Sequence, residues 1–255
     1  MIKFMIIWEY IKITEDIMKF KGFTLAEVLV TLGIIGVVSA MTIPSLTQSW
    51  QKQAYVTQLK KVYSEVTQAT NLAITENHAM TLGETEYGAE NAQSARDFMN
   101  KYFKVVQDCG KNFTPCFADS YKDRSGHVDS FRSWQTNLGN CVTIASGAAI
   151  CLDYGDGDWP CSDNDNWCKQ QTNGAGFYPG YYDIYIDING KKGPNVRGRD
   201  YFRGSLLFDG RLGEGLSTFT RDRDGAAAAD EVCAEQMYEG GCLERLLHNG
   251  WVMDY

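Results

Sequence analysis

The chain has 255 residues, 44% of them hydrophobic and 22% charged, with 24 Lys and Arg against 32 Asp and Glu for a net charge of −8. This suits one or two globular domains with a sizeable core and excludes disorder over most of the length. The negative field repels phosphate backbones, so nucleic acid is not expected as a partner of the whole surface. All eight cysteines lie beyond residue 108 and none forms a Cys-x-x-Cys pair, which fits disulfides made outside the cytoplasm better than a zinc site.

The first predicted element is an apolar helix. Phe23 to Pro44 reads FTLAEVLVTLGIIGVVSAMTIP, and between Lys21 and Lys52 the only formal charge is Glu27. At the helical rise, Phe23 to Ile43 covers about 30 Å, the thickness of a bilayer's hydrocarbon core. Lys19 and Lys21 precede the run, so the positive-inside rule leaves Gly22 in the cytoplasm and carries everything after Pro44 across the membrane. Gly33, Gly36 and Pro44 weaken the helix, and the glycines equally permit close contact with another helix. An ordinary signal peptide over residues 18–40, cut after Val38-Ser39-Ala40, is the competing reading. Glu27 argues against it, because an acidic side chain in a membrane helix costs about 2.5–3.5 kcal/mol at the centre and less towards an end. Such a charge needs a partner.

The string Lys21-Gly22-Phe23-Thr24-Leu25-Ala26-Glu27, with the apolar run and Pro44 behind it, resembles the N-terminal signature of type IV pilins and type II secretion pseudopilins. The resemblance implies that a prepilin peptidase cuts between Gly22 and Phe23, that Phe23 becomes an N-methylated terminus, and that Glu27 is a carboxylate used in assembly. The physics agrees: the cut exposes an amine at the edge of the apolar phase, able to neutralise Glu27 of a neighbouring subunit. The segment before the cut is longer and more apolar than the short basic leaders of that family. Translation from Met18 would give Met18-Lys19-Phe20-Lys21-Gly22, with residues 1–17 outside the protein. Excluding residues 1–22 removes four lysines and three acids, so the net charge moves from −8 to −9.

Beyond Pro44 the helix is expected to continue outward. Tyr55, Leu59, Val62, Val66, Ala69 and Ala73 recur as an amphipathic stripe, with Lys52, Lys60, Lys61 and Glu65 on the solvated side, and the pattern fades near Asn77. A second helix is expected from Ser94, as cap, to Val106, on the spacing of Ala95, Phe98, Met99, Tyr102 and Phe103. Strand patterns follow. Cys141–Ile144 and Ala149–Leu152 around Ser146-Gly147 predict a hairpin, Tyr182 to Ile188 alternates, and Ser205–Phe208 runs through the turn Asp209-Gly210 towards a short strand at Arg211-Leu212.

The expected fold is therefore α+β and pilin-like: a long N-terminal helix, half membrane-embedded and half amphipathic, packed on an antiparallel sheet with disulfide-rich loops. Residues 1–22 are read as leader, 23–44 as the transmembrane and assembly helix, and 45–255 as an extracytoplasmic globular domain. Two further segments, Asp187-Ile188-Asn189-Gly190-Lys191-Lys192-Gly193-Pro194-Asn195 and the ending Asn249-Gly250-Trp251-Val252-Met253-Asp254-Tyr255, also look like parts of bacterial prepilin-type proteins. The middle from Glu76 to Asp129 resembles no family.

Local pairing of the cysteines is expected, as Cys109 with Cys116, Cys141 with Cys151, Cys161 with Cys168, and Cys233 with Cys242, one of the many connectivities that eight cysteines allow. Asp153, Asp156, Asp158, Asp163 and Asp165 crowd around Pro160. Their oxygens suit calcium, but the stretch lacks the spacing and distal glutamate of an EF-hand loop, so a solvated acidic loop is the preferred reading; Asp222-Arg223-Asp224-Gly225 is a weaker case. Phe177, Tyr178, Tyr181, Tyr182 and Tyr185, with Trp159 and Trp167, pack loops or subunits in one reading and bind carbohydrate in another. No nucleophile elbow, zinc-protease helix or phosphate loop is present, and His78, His127 and His248 are far apart, so no enzyme, resident metal or cofactor is expected.

The function these features predict is a structural subunit, a minor pilin or pseudopilin of a type IV pilus or type II secretion pseudopilus. Its partners would be prepilin peptidase, other pilin subunits and an inner-membrane assembly platform, with the head on the periplasmic or extracellular side of a bacterial inner membrane. The alternative is a secreted ligand-binding or hydrolytic domain. The large head suggests a minor or specialised subunit.

Overall fold

A computed structural model of the protein describes residues 22–123, 125–132, 134–155, 180–213, 233 and 241–255. In chain order the elements are helix α1 (Leu25–Glu76), two short 3-10 turns (Leu82–Glu84 and Glu86–Gly88), helix α2 (Ala92–Tyr102) and strand β1 (Val105–Gly110). Strands β2 (Ser120–Lys122), β3 (Val128–Ser130), β4 (Gly139–Ile144), β5 (Ala149–Gly155), β6 (Tyr181–Asp187) and β7 (Tyr201–Leu207) follow, then helix α3 (Cys242–His248). The class is α+β, a long N-terminal helix packed on an antiparallel sheet, as expected. The chain divides into two units, Met1–Trp50 and Gln51–Tyr255, with the boundary inside α1.

In the first unit α1 runs unbroken through Gly33, Gly36 and Pro44. Its apolar side chains are exposed on every face, Leu29, Val30, Leu32, Ile34 and Ile35 among them. The helix is long and apolar enough to cross a membrane, with a stretch of mean hydropathy 2.0. Thr31, Thr42 and Thr47 donate their hydroxyls to carbonyls three or four residues earlier, which satisfies the polar groups that an apolar surroundings would penalise.

The second unit is built on α1 and a five-stranded antiparallel sheet in the order β1-β4-β5-β6-β7. The predicted stripe is the contact surface: Val56, Leu59, Val62, Val66, Ala69 and Ala73 are buried, and Tyr55 packs partly buried beside them. Facing them are Val142, Ile144, Ile150, Leu152, Tyr182, Ile184, Ile186 and Ile188, every second residue of their strands. Each fully buried Val, Leu or Ile contributes about 1.5–3 kcal/mol, so this sandwich dominates the stability of the unit.

The strand period of two sends Cys141, Ala149, Cys151, Tyr185 and Tyr201 to the opposite face, where a second core gathers Phe113, Phe117, Tyr121 and Phe131. The small sheet of β2 and β3 covers this side. Cys141 and Cys151 sit directly opposite each other in the β4–β5 register and are disulfide-bonded, as are Cys109 with Cys116 and Cys233 with Cys242. Three of the expected pairs are thus present; Cys161 and Cys168 lie outside the described residues.

Three expectations are corrected. The cap of α2 is Asn91 rather than Ser94: its Oδ1 accepts from the Ser94 amide at 2.9 Å and hydroxyl at 3.2 Å, so Ser94 is already inside the first turn. The helix also ends at Tyr102 rather than Val106, because Phe103 turns extended and β-branched Val105 pairs with Ile144 of β4. The strand expected at Arg211-Leu212 is a single bridge, Leu206 to Leu212, closed over a turn at Gly210 whose φ of 95° favours glycine.

The two C-terminal resemblance segments turn out to be structural clasps. Asp187 and Asp200, both 0% exposed, stand at the two ends of the loop between β6 and β7. Asp187 accepts from the Tyr121 hydroxyl and the Asn189 amide, while Asp200 accepts from the Asn195 amide at 2.7 Å and the Val196 amide at 2.6 Å. In the chain's ending, Trp251 meets Tyr63 of α1 edge-on with ring centroids 5.2 Å apart and Lys60 lies over its face. Tyr255 donates to the Gly198 carbonyl at 2.9 Å. The tail therefore ties α1 to the β6–β7 loop.

Burial, with the nearby negative charge of Asp200, pushes the Asp187 carboxyl up to about 8, against the pull of its hydrogen bonds. Burial likewise pushes Glu244 of α3 up to about 7. An acid whose folded pKa is raised binds its proton more tightly folded than unfolded, so its stabilising effect is full below about pH 4 and is lost as pH rises through 7 and 8. Asp187→Asn should therefore flatten the fall of melting temperature between pH 5 and 8, removing up to about 1.4 kcal/mol per pH unit. Parallel stability profiles for variant and wild type would show that Asp187 titrates normally.

Candidate processing and assembly site

The motif puts the expected cleavage position, the expected new terminus and one carboxylate within six residues, and local physics shapes them. Gly22 and Phe23 precede the helix, and Phe23 is 85% exposed. Both are reachable from solvent. Thr24 is the residue immediately before α1, and Thr24-Leu25-Ala26-Glu27 forms a reciprocal cap. The Glu27 amide donates to the Thr24 hydroxyl oxygen at 3.2 Å, while Glu27 Oε2 accepts from the Thr24 amide at 2.8 Å and from its hydroxyl at 2.9 Å. This is the Ser/Thr-x-x-Glu capping box, which satisfies otherwise orphaned amides at a helix start. A carboxylate in the first turn also sits at the positive end of the helix dipole.

The capping part of Thr24 is what the reading of the sequence passed over, although the Thr-x-x-Glu spacing is itself a recognised start signal. Its consequence is chemical. Both Thr24 donors go to Oε2, which holds the side chain back towards the chain terminus and leaves Oε1 without a hydrogen bond among the described residues. The carboxylate is oriented but not saturated.

The other candidates are dispersed. Asp153 of β5 accepts from the Asn137 and Leu138 amides at 3.0 and 2.8 Å and so ties the segment that leads into β4 to β5; Asp156, Asp158, Asp163, Asp165, Asp222 and Asp224 lie outside the described residues. Of the aromatic group, Tyr182 and Tyr185 face opposite sides of the sheet. Tyr182 is in the core under α1 with its hydroxyl donating to the Tyr87 carbonyl, and Tyr185 packs against Phe113. They form no common platform with each other. Trp159, Trp167, Phe177 and Tyr178 lie outside the described residues. His78, His127 and His248 are all exposed, at the end of α1, beside β3 and at the end of α3.

A comparison with known proteins finds a match at the N-terminus. Residues 17–43 match the family model described as the prokaryotic N-terminal methylation motif, the hallmark of type IV pilins and pseudopilins and of the prepilin-peptidase substrates among them. The match takes in Gly22, Phe23, Thr24 and Glu27 and ends one residue before Pro44. The chain matches no curated protein and no solved structure.

Replacing an N-cap threonine by alanine costs about 1 kcal/mol. Thr24→Ala in detergent micelles should accordingly speed hydrogen exchange at the Glu27 and Val28 amides roughly five-fold, read by NMR. Unchanged exchange at both would mean that the capping box does not hold the first turn.

Proposed function

We propose that the chain is a structural subunit, a minor pilin or pseudopilin of a type IV pilus or type II secretion pseudopilus. It is made as a precursor, held in a bacterial inner membrane by residues 23–44, and cut by a prepilin peptidase between Gly22 and Phe23. The amine released at Phe23 is methylated and then neutralises Glu27 of a neighbouring subunit, so the pairing sets the register in which subunits join the fibre. Other pilin-type subunits and an inner-membrane assembly platform are the partners this implies. The disulfide-stapled head lies on the periplasmic or extracellular side. No catalytic residue, cofactor or metal is assigned.

The observation that carries this reading is the conjunction of the methylation motif at residues 17–43 with an apolar helical stretch, Leu25 to Trp50, whose side chains find no cover among the described residues and whose only acid is Glu27. A hydrocarbon phase and neighbouring helices of the same kind are what such a surface requires. The size of the head supports a specialised rather than a thin repeating subunit.

Two measurements test it. Terminal sequencing and intact mass of the mature chain should give methylated Phe23, whereas a terminus at Met41 would make residues 18–40 an ordinary signal peptide and favour a secreted domain. Glu27→Ala should insert into the membrane at wild-type level yet enter fibres at least ten-fold less efficiently. Normal incorporation of that variant would refute the role given to Glu27.

A further inference from the structure

The charges of this acidic protein are sorted along its chain. From Val28 to Ser64 the only charged side chains are Lys52, Lys60 and Lys61, and from Ile188 to Arg199 they are Lys191, Lys192, Arg197 and Arg199. No acid interrupts either run. From Asn77 to Ala95, by contrast, the charges are Glu84, Glu86 and Glu90 alone.

The fold brings the two basic runs together. A cleft of about 480 Å³ is lined by Gln58 and Lys61 of α1, Ser146 of the β4–β5 turn, and Asn189, Lys192 and Gly193 of the β6–β7 loop. Lys61 and Lys192 are exposed and have no salt-bridge partner among the described residues. Glu65, one helical turn beyond Lys61, accepts from the Ser146 hydroxyl at 3.2 Å and borders a separate cleft. Arg197 is committed to Asp129 at 2.7 Å. What remains is a cleft of mixed lining, Val62 and Ile188 included, that carries two lysines.

Glu84, Glu86 and Glu90 are exposed and likewise take part in no salt bridge among the described residues. They cannot reach the cleft of their own chain. Their loop is anchored where the Leu82 amide donates to the Phe208 carbonyl, and the adjoining Gly210 turn touches Thr70, Asn71 and Ile74 of α1. Those residues are about 14–20 Å along the helix from Lys61, far beyond the reach of an ion pair. One copy therefore carries both halves of a complementary pair in positions that only a second copy can join.

We propose that this cleft receives the acidic 84–90 loop of a second copy, with Lys61 and Lys192 facing Glu84, Glu86 and Glu90 of the neighbour. The inference rests on the assembly reading above and adds the head surface on which it acts. Like-charge faces then repel, so the pairing selects one axial offset between heads and excludes others.

Two tagged versions of the full chain, co-expressed in the membrane, test the contact: Lys192→Cys in one and Glu86→Cys in the other, joined by a short thiol cross-linker. A cross-linked pair is expected. It should drop at least ten-fold when Lys61→Glu is added to the first copy, and return when Glu84→Lys and Glu90→Lys are added to the second. Unchanged melting temperatures of these surface variants establish that each still folds. The proposal is overturned if Gly22-processed copies co-purify but do not cross-link, or cross-link regardless of charge. It is equally overturned if, without cross-linking, the cleft lysines bind anionic vesicles or duplex DNA in a manner abolished by Lys61→Glu with Lys192→Glu. Copies that neither lose residues 1–22 nor co-purify would remove the assembly reading and this one with it.

Discussion

One carboxylate in a helix that is otherwise without charge from Phe23 to Gln51 constrains the whole account. A charged group leaving water must be neutralised or bonded, and the cost of doing neither is several kcal/mol. Thr24 supplies part of the remedy by donating twice to one oxygen of Glu27. The other oxygen has no hydrogen bond among the described residues. The stretch from Leu25 to Trp50, with its apolar faces exposed among the described residues and one half-satisfied acid near its start, is suited to lipid and to neighbouring helices.

The same helix has a different task after residue 50. There the apolar residues collapse onto one stripe, and Leu59, Val62, Val66 and Ala69 are buried against the sheet while lysines and glutamines stay wet. The sheet is sandwiched between this helix and an aromatic core built on Phe113, Phe117, Tyr121 and Phe131. Disulfides staple the second face through Cys109–Cys116 and Cys141–Cys151, and the tail clasps the first through Trp251 and Tyr63. Disulfides are suited to the oxidising side of a membrane, and each closed loop is worth about 2–4 kcal/mol.

What could be read from the sequence follows from which forces are periodic. The stripe of α1, the β4–β5 hairpin and the alternation of β6 are repeats of apolar side chains, and each is where it was expected. The cap of α2 was misread because Asn91 and Ser94 are equally good cap types three residues apart, and only the hydrogen bond from Ser94 to Asn91 decides between them. Strand β1 was hidden by its polar, bulged edge, with Gln107 and Asp108 exposed, and β2 and β3 by being three residues each. Nor does any pattern announce that Asp187 and Asp200 are buried, since their partners, Tyr121 and the amides of Asn195 and Val196, become visible only when the loop closes. At the N-terminal site, Gly22, Phe23 and Glu27 were legible as a motif, while the part played by Thr24 needed the geometry of the first helical turn.

The central claim is that the second oxygen of Glu27 is met by the amine of another copy. Solid-state NMR on fibres grown from equal parts of chain labelled with ¹³C at the Glu27 carboxyl and chain labelled with ¹⁵N at Phe23 measures that contact directly, because the labels never share a molecule. A carboxyl-to-amine separation of about 4 Å, that of an ion pair, with the carboxyl shift of an ionised group, is the predicted result. Absence of any dipolar coupling, together with a protonated Glu27 carboxyl, would contradict it.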